Sequence, residues 1–189
     1  MTKVSPNFAV VAVCPAFTFG PDDPVGAPAN KLLQAVITRK LRFTIPAGFG
    51  ALDVRDFASG VVLAAERGRS GERYLLSGQN LTVTELLAEA AGIAGVPVPR
   101  FVMPTPLLRA AIGVVGLVSA IRGTPAPVTR EVLQVIGRYS WYDTAKARRE
   151  LGWSSRPLRE TLTDTIGWLR NQRSSPPDAS VRERGTAVI

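Results

Sequence analysis

Phe8-Ala-Val-Val-Ala-Val13, closed by Cys14-Pro15, is the stretch on which the reading of this chain turns. An unbroken apolar run rich in valine predicts a strand buried on both faces, as in a parallel sheet covered by helices. A parallel strand needs neighbours, and only Met1 to Asn7 precede this one. The chain is therefore expected to open part-way into an α/β fold.

Downstream of that strand the apolar spacing alternates between helical and extended periods. Leu32, Leu33, Val36 and Ile37 predict a helix over Asn30 to Lys40, and Leu41 to Ile45 alternates like a strand. Pro46 to Gly50 reads as a turn. Phe57, Val61 and Ala65 place a helix from Val54 to about Gly68, and Arg73 to Leu76 reads as a short strand closed by Ser77-Gly78. Thr82-Val-Thr-Glu85 is a capping box, with Leu81 and Leu86 placed for a hydrophobic staple, so a helix should run to about Gly92. Pro97 to Pro106 is a connector into an apolar helix over Leu107 to Ile121. A short helix follows over Thr129 to Ile136, and Asp143 caps another that ends at Leu151-Gly152-Trp153. Pro157 opens the last helix, striped by Leu158, Leu162, Ile166 and Leu169. Asn171 to Ile189 lacks periodicity and reads as a disordered tail.

Composition excludes several functions. The 189 residues are 46% hydrophobic and 20% charged, enough for one globular domain with a sizeable core. The net charge of +8 is spread rather than clustered. Acidic residues sit beside the Arg67/Arg69/Arg73 and Lys146/Arg148/Arg149 groups, which reads as a solvated surface and not a nucleic-acid interface. There is no histidine, so no histidine triad or histidine-ligated metal is available. Cys14 is the only cysteine, which removes any internal disulfide. The Ala110–Ile121 run, flanked by Arg109 and Arg122, is too short to span a membrane and reads as a buried or interfacial helix. The default location is the cytoplasm.

Three segments, in order, resemble one family. They are Val11-Ala-Val-Cys-Pro-Ala-Phe-Thr-Phe-Gly-Pro-Asp-Asp23; Asp53-Val-Arg-Asp-Phe-Ala58 with Gly71-Glu-Arg-Tyr74 and Ser77-Gly78; and Tyr142-Asp-Thr-Ala-Lys-Ala-Arg-Arg-Glu-Leu-Gly-Trp153 followed by Pro157-Leu158 and Trp168. Together they resemble the C-terminal half of an extended short-chain dehydrogenase/reductase, in the NAD-dependent epimerase/dehydratase family and its dihydroflavonol-reductase-like branch. The resemblance implies an α/β fold: the C-terminal part of a Rossmann-type parallel sheet plus a small α+β substrate-binding domain, with the N-terminal dinucleotide-binding half absent. Residues 1–172 would form this unit and 173–189 the tail.

The family's glycine turn for pyrophosphate, Gly-x-x-Gly-x-x-Gly, has no match; Gly48-Phe-Gly50 and Gly68-Arg-Ser-Gly71 read as turns. One Tyr-x-x-x-Lys match exists, Tyr142 and Lys146, but it lies in the C-terminal signature, after the strand that the family's catalytic pair precedes. No catalytic residue and no metal ligand is assigned. By position in the family, Pro15, Ala16 and Phe17 would face the nicotinamide of NAD or NADP, and Thr18, Phe43, Phe49 and Leu52 would line the substrate cavity. Where UDP-sugar epimerases place an arginine for the diphosphate, this chain has Phe49, which leans the substrate toward something less phosphorylated.

The expectation is thus the substrate-binding half of an NAD(P)-dependent epimerase/dehydratase-like or dihydroflavonol-4-reductase-like oxidoreductase. It should be inactive alone and bind no cofactor alone, with a separately encoded N-terminal cofactor-binding half as its partner and a small molecule as its substrate. Two rivals stand beside it: a non-catalytic binding module, and a basic protein that presents the Leu107–Ile121 helix to a membrane or partner surface.

Overall fold

The computed structural model describes residues 9–23, 26–99, 101–124 and 137–174. β1 (Ala12–Pro15) and β2 (Phe17–Phe19) follow each other almost without a break, and α1 (Pro28–Ile37) opens on a proline, where a missing N–H costs nothing. β3 (Phe43–Thr44) leads to β4 (Gly48–Asp53), whose last residue caps α2 (Val54–Arg67). Gly71, at a φ of 85°, turns the chain into β5 (Arg73–Leu76), and β6 (Gln79–Thr82) feeds α3 (Val83–Ala94). The Thr82/Glu85 capping box forms, Leu81 and Leu86 are buried beside it, and Gly95 closes the helix in the left-handed region. β7 (Phe101–Val102), α4 (Thr105–Ile121), β8 (Tyr139–Ser140), α5 (Ala145–Leu151) and α6 (Leu158–Ser174) complete the described chain.

β4 is the hub. It pairs in parallel with β2 and β8 and antiparallel with β6, while β1 pairs in parallel with β5 and β3 with β7. Strand alternation sends its neighbouring residues into two cores. Ala51 joins Phe19, Leu33, Leu87, Leu162 and Ile166 under α1, α3 and α6. Leu52 joins Tyr74, Leu76, Leu151 and Trp153 under α2 and α5. This mixed α/β arrangement is the fold class that the sequence implies.

Several expectations need correction. The first strand lies at Ala12–Pro15, not Phe8–Val13, and is only partly buried, because among the described residues β5 is its one strand partner. It ends at Pro15, which is its last residue. Pro46 to Gly50 is not simply a turn, since Gly48 and Gly50 sit inside β4. There the glycines serve close packing. A Cβ on Gly50 would stand 1.9 Å from the Ser77 hydroxyl, and one on Gly48 would stand 2.7 Å from the Tyr139 ring. The apolar α4 is not buried: of its described side chains only Leu108 and Ser119 are. α6 continues through Ser174, while the Thr129–Ile136 helix and residues 175–189 lie outside the described residues.

A buried charge network ties the layers. The Asp53 side chain is fully buried; Oδ1 accepts the Arg55 backbone N–H at 2.8 Å and its Nε at 2.9 Å, and Oδ2 meets Arg55 Nη2 at 2.7 Å. Arg55 reaches on to Asp164 of α6 at 2.8 Å. Arg156, just ahead of α6, pairs with Asp56 at 2.9 Å and lies 3.6 Å from Asp53, while Trp153 Nε1 donates to the Asp56 carbonyl. Burial alone would raise the Asp53 carboxyl. Bonds from Arg55 and Thr161 and the charge of Arg156 outweigh it, holding the group below the ordinary carboxylate range.

Two outcomes are expected. Gly50→Ala should cost about 1–3 kcal/mol, and adding Ser77→Ala, which removes the hydroxyl nearest the new methyl, should recover part of that loss in urea denaturation. Strict additivity of the two changes would show that β4 relaxes instead. Because the Asp53 pKa falls on folding, its contribution is present above about pH 4 and is lost as pH drops through the folded-state value. Asp53→Asn should therefore cost about 3 kcal/mol at pH 7 and flatten the acid limb of the stability–pH curve. An acid limb as steep as that of the parent protein would rule Asp53 out as its source.

Candidate functional site

The carboxyl end of β1 and the start of β2 bring Pro15, Ala16 and Phe17 to the wall of a cavity of about 580 Å³. That volume suits a small-molecule site. Leu32 contributes from α1, Val83 and Leu87 from α3, and Phe49 from β4. Leu41, Phe43 and Ile45 stand at alternate positions and all line it, as one face of an extended segment must. Ser140 and Tyr142 close another side.

Among the described residues that line it, none has a charged side chain. Phe17 and Phe49 lie 4.7 Å apart between ring centres, and Phe19 packs edge-on to Phe17 at 5.3 Å. Of the polar groups at the wall, the Thr44 hydroxyl already pairs with that of Thr84 at 3.1 Å. The arginines nearest in the chain, Arg39 and Arg42, line a separate hollow of about 270 Å³ that shares only Leu41 with the cavity. The cavity is thus built to exclude water and hold apolar surface; it offers no donor fork for a diphosphate.

Five of the seven site residues named from the sequence, Pro15, Ala16, Phe17, Phe43 and Phe49, meet at this cavity. Thr18 and Leu52 do not line it. Thr18 lies between Phe17 and Phe19 on the opposite face of β2, and its hydroxyl donates to the Ala16 carbonyl at 3.0 Å. Leu52 is 1% exposed in the core under α2, because its position in β4 has the opposite parity to Phe49. Leu41 and Ile45 were missed, although the alternation that places Phe43 at the wall places them there too.

Tyr142 also lines the cavity, but Lys146 is engaged elsewhere. Its Nζ bonds Glu72 Oε2 at 2.5 Å and the Arg73 carbonyl at 3.1 Å, and sits 4.8 Å above the Tyr74 ring. Asp143, just ahead of α5, accepts the Ala145 N–H at 2.8 Å. The neighbouring basic groups are paired as well: Arg69 forks both Glu150 oxygens at 2.9 Å, and Tyr74 donates to the same carboxylate.

A dinucleotide's pyrophosphate needs a glycine turn and a free helix N-terminus. Two helix starts are capped by side chains, α2 by Asp53 and α3 by Thr82 with Glu85. Asp23 takes the Gly26 and Ala27 N–H groups ahead of α1, and Asp143 takes the Ala145 N–H at α5. The sequence holds no Gly-x-x-Gly-x-x-Gly turn, and Pro15 to Phe17 offer one apolar wall. No cluster of metal-ligating side chains occurs among the described residues either.

A dihydroflavonol 4-reductase-like protein of Synechocystis sp. is 29% identical over 175 residues, 90% of this chain but 51% of that protein. A nucleoside-diphosphate-sugar epimerase from Pseudomonas aeruginosa superposes with a TM-score of 0.70 at 28% identity, covering 88% of this chain and 49% of its own. The chain is homologous to the C-terminal half of the extended short-chain dehydrogenases/reductases. This extended-reductase homologue also matches sterol demethylase protein B of Methylococcus capsulatus, at 26% identity over 86% of the chain and 50% of that protein. It spans about half the length of each of these relatives. More distant structures of the same fold were solved with NADPH or NAD+ bound. No family model matches the chain.

If the Tyr142 segment is structural, Tyr142→Phe should leave the turnover of an enzyme reconstituted with a cofactor-binding half within a few-fold of the parent. Loss of a general acid–base group costs roughly 10²–10⁴-fold. A fall of that size with folding intact would make Tyr142 catalytic.

Proposed function

We propose that this chain is the substrate-binding half of an NAD(P)-dependent epimerase- or reductase-like oxidoreductase, and that it receives an uncharged, ring-bearing small molecule. The observation that carries the reading is the uncharged lining of the 580 Å³ cavity at the carboxyl end of β1 and the start of β2. In open α/β sheets ligands bind beyond the carboxyl ends of the strands. Here that place is walled by phenylalanine, leucine and proline, which favour apolar rings over sugar diphosphates.

Two of the relatives, named for a dihydroflavonol and a sterol, support the same chemistry, since both words denote fused-ring molecules without ionised groups. Redox chemistry in such enzymes belongs to the cofactor. This chain's own share is to bind the substrate, orient it and keep water out. Without a Gly-x-x-Gly-x-x-Gly turn of its own it reduces nothing alone, and a half carrying that turn and the catalytic tyrosine completes the site.

Fluorescence titration of the folded, isolated chain with NADH and NADPH should show no saturable binding at micromolar concentrations. Saturable micromolar binding would overturn the half-enzyme reading. Co-expression with the cofactor-binding half of the Synechocystis relative should restore NAD(P)H-dependent reduction of an apolar ketone. A binding module without chemistry would give the same titration but no restored turnover.

A further inference from the structure

We infer that α4 is an interfacial helix that lies in the surface of a membrane containing anionic lipid. This goes beyond the cavity and does not depend on what the cavity binds. α4 is apolar on nearly every side, with Arg109 its only charged residue. A helix of that composition is stable in water only if it is covered. Yet Leu107 is 55% exposed, Val114 62%, Leu117 63% and Ile121 77%. Something apolar outside the described residues must meet this face.

The occupant is indicated by charge. From Ala90 to Arg130 the chain has no aspartate or glutamate, while Arg100, Arg109, Arg122 and Arg130 all fall in that run. The Arg109 and Arg122 side chains are exposed. An apolar helix with arginine near both ends and no acid nearby matches an anionic lipid surface.

Exposed aromatic rings stand by the helix's first turn. Phe101, on β7 just before α4, is 56% exposed. Tyr139 and Trp141 are 53% and 57% exposed and packed edge to face at 5.6 Å. They follow Gly137, whose absent Cβ would stand 3.7 Å from Thr105 Oγ1 at the start of α4. Tyrosine and tryptophan are favoured where an apolar layer meets water. No helix among the described residues is long and apolar enough to cross a membrane, so α4 lies along the surface.

The test is flotation of the full chain with vesicles of phosphatidylcholine alone and of phosphatidylcholine with phosphatidylserine. The chain should float with the anionic vesicles, float less in high salt, and remain below with the neutral ones. Val114→Glu/Leu117→Glu, at exposed positions and so leaving the melting temperature unchanged, should cut the floated fraction roughly tenfold or more. Arg109→Glu/Arg122→Glu, which leaves the apolar face intact, should weaken flotation on anionic vesicles alone. Failure to float, or flotation indifferent to both variants, would overturn the inference. So would self-association, or pairing with a cofactor-binding half, that the glutamate variant abolishes while flotation persists, because the face would then belong to a protein.

Discussion

A carboxylate with no water around it has to be surrounded by donors, and Asp53 meets that demand with parts of the chain that would otherwise have no reason to meet. Its two oxygens draw in the first turn of α2, the Arg55 guanidinium and, more loosely, Arg156. Arg55 extends the link to Asp164, and Asp56 completes it by holding Arg156. Removing either side would leave a buried charge uncompensated, the costly case for an internal ion pair. The same strand that ends in Asp53 carries Phe49 near its other end, so the network that anchors β4 also fixes the aromatic wall of the cavity.

Features written in a few adjacent residues were legible in the sequence. The Thr82/Glu85 box, the α2 start at Val54 and the Leu158, Leu162, Ile166 and Leu169 stripe depend on local spacing, and they occur where that spacing puts them. β4 was not legible. Gly48 and Gly50 are ordinary turn residues by propensity, and only the close approach of Tyr139 and Ser77, distant in the chain, explains them inside a strand. Phe43 and Phe49, named by position in the family, lie at the cavity wall, whereas Leu52 lies in the core under α2 because one step in a strand reverses the face. Burial of the first strand was overestimated because an apolar run reports what a strand would pack against, not which neighbours are present.

The apolar cavity stands beside amides that the chain's own carboxylates engage. Asp23, Asp53, Glu85 and Asp143 each accept a backbone N–H, at the capped starts of α2 and α3 and beside those of α1 and α5. What stays open is apolar: the hollow between β2, β3 and α3, and the outer face of α4. Part of the basic complement is engaged as well. Arg55, Arg69, Lys146 and Arg156 are bound to carboxylates inside the fold or along its seams.

The Arg156–Asp56 pair joins residues a hundred positions apart, and Trp153 reaches the same residue across 97. On a ribosome adding about 5–20 residues each second, Asp56 waits about 5–20 s before its partner is made. In that interval Asp56 lacks its arginine, and the core under α2 lacks Trp153 and Leu151. Loop-closure entropy for so long a segment must be met before any of these contacts repays it. The fold therefore cannot close progressively from its beginning. It is held open until the last two helices arrive, and a nascent chain arrested before Arg156 carries every element of the cavity wall without the clasp that keeps them in register.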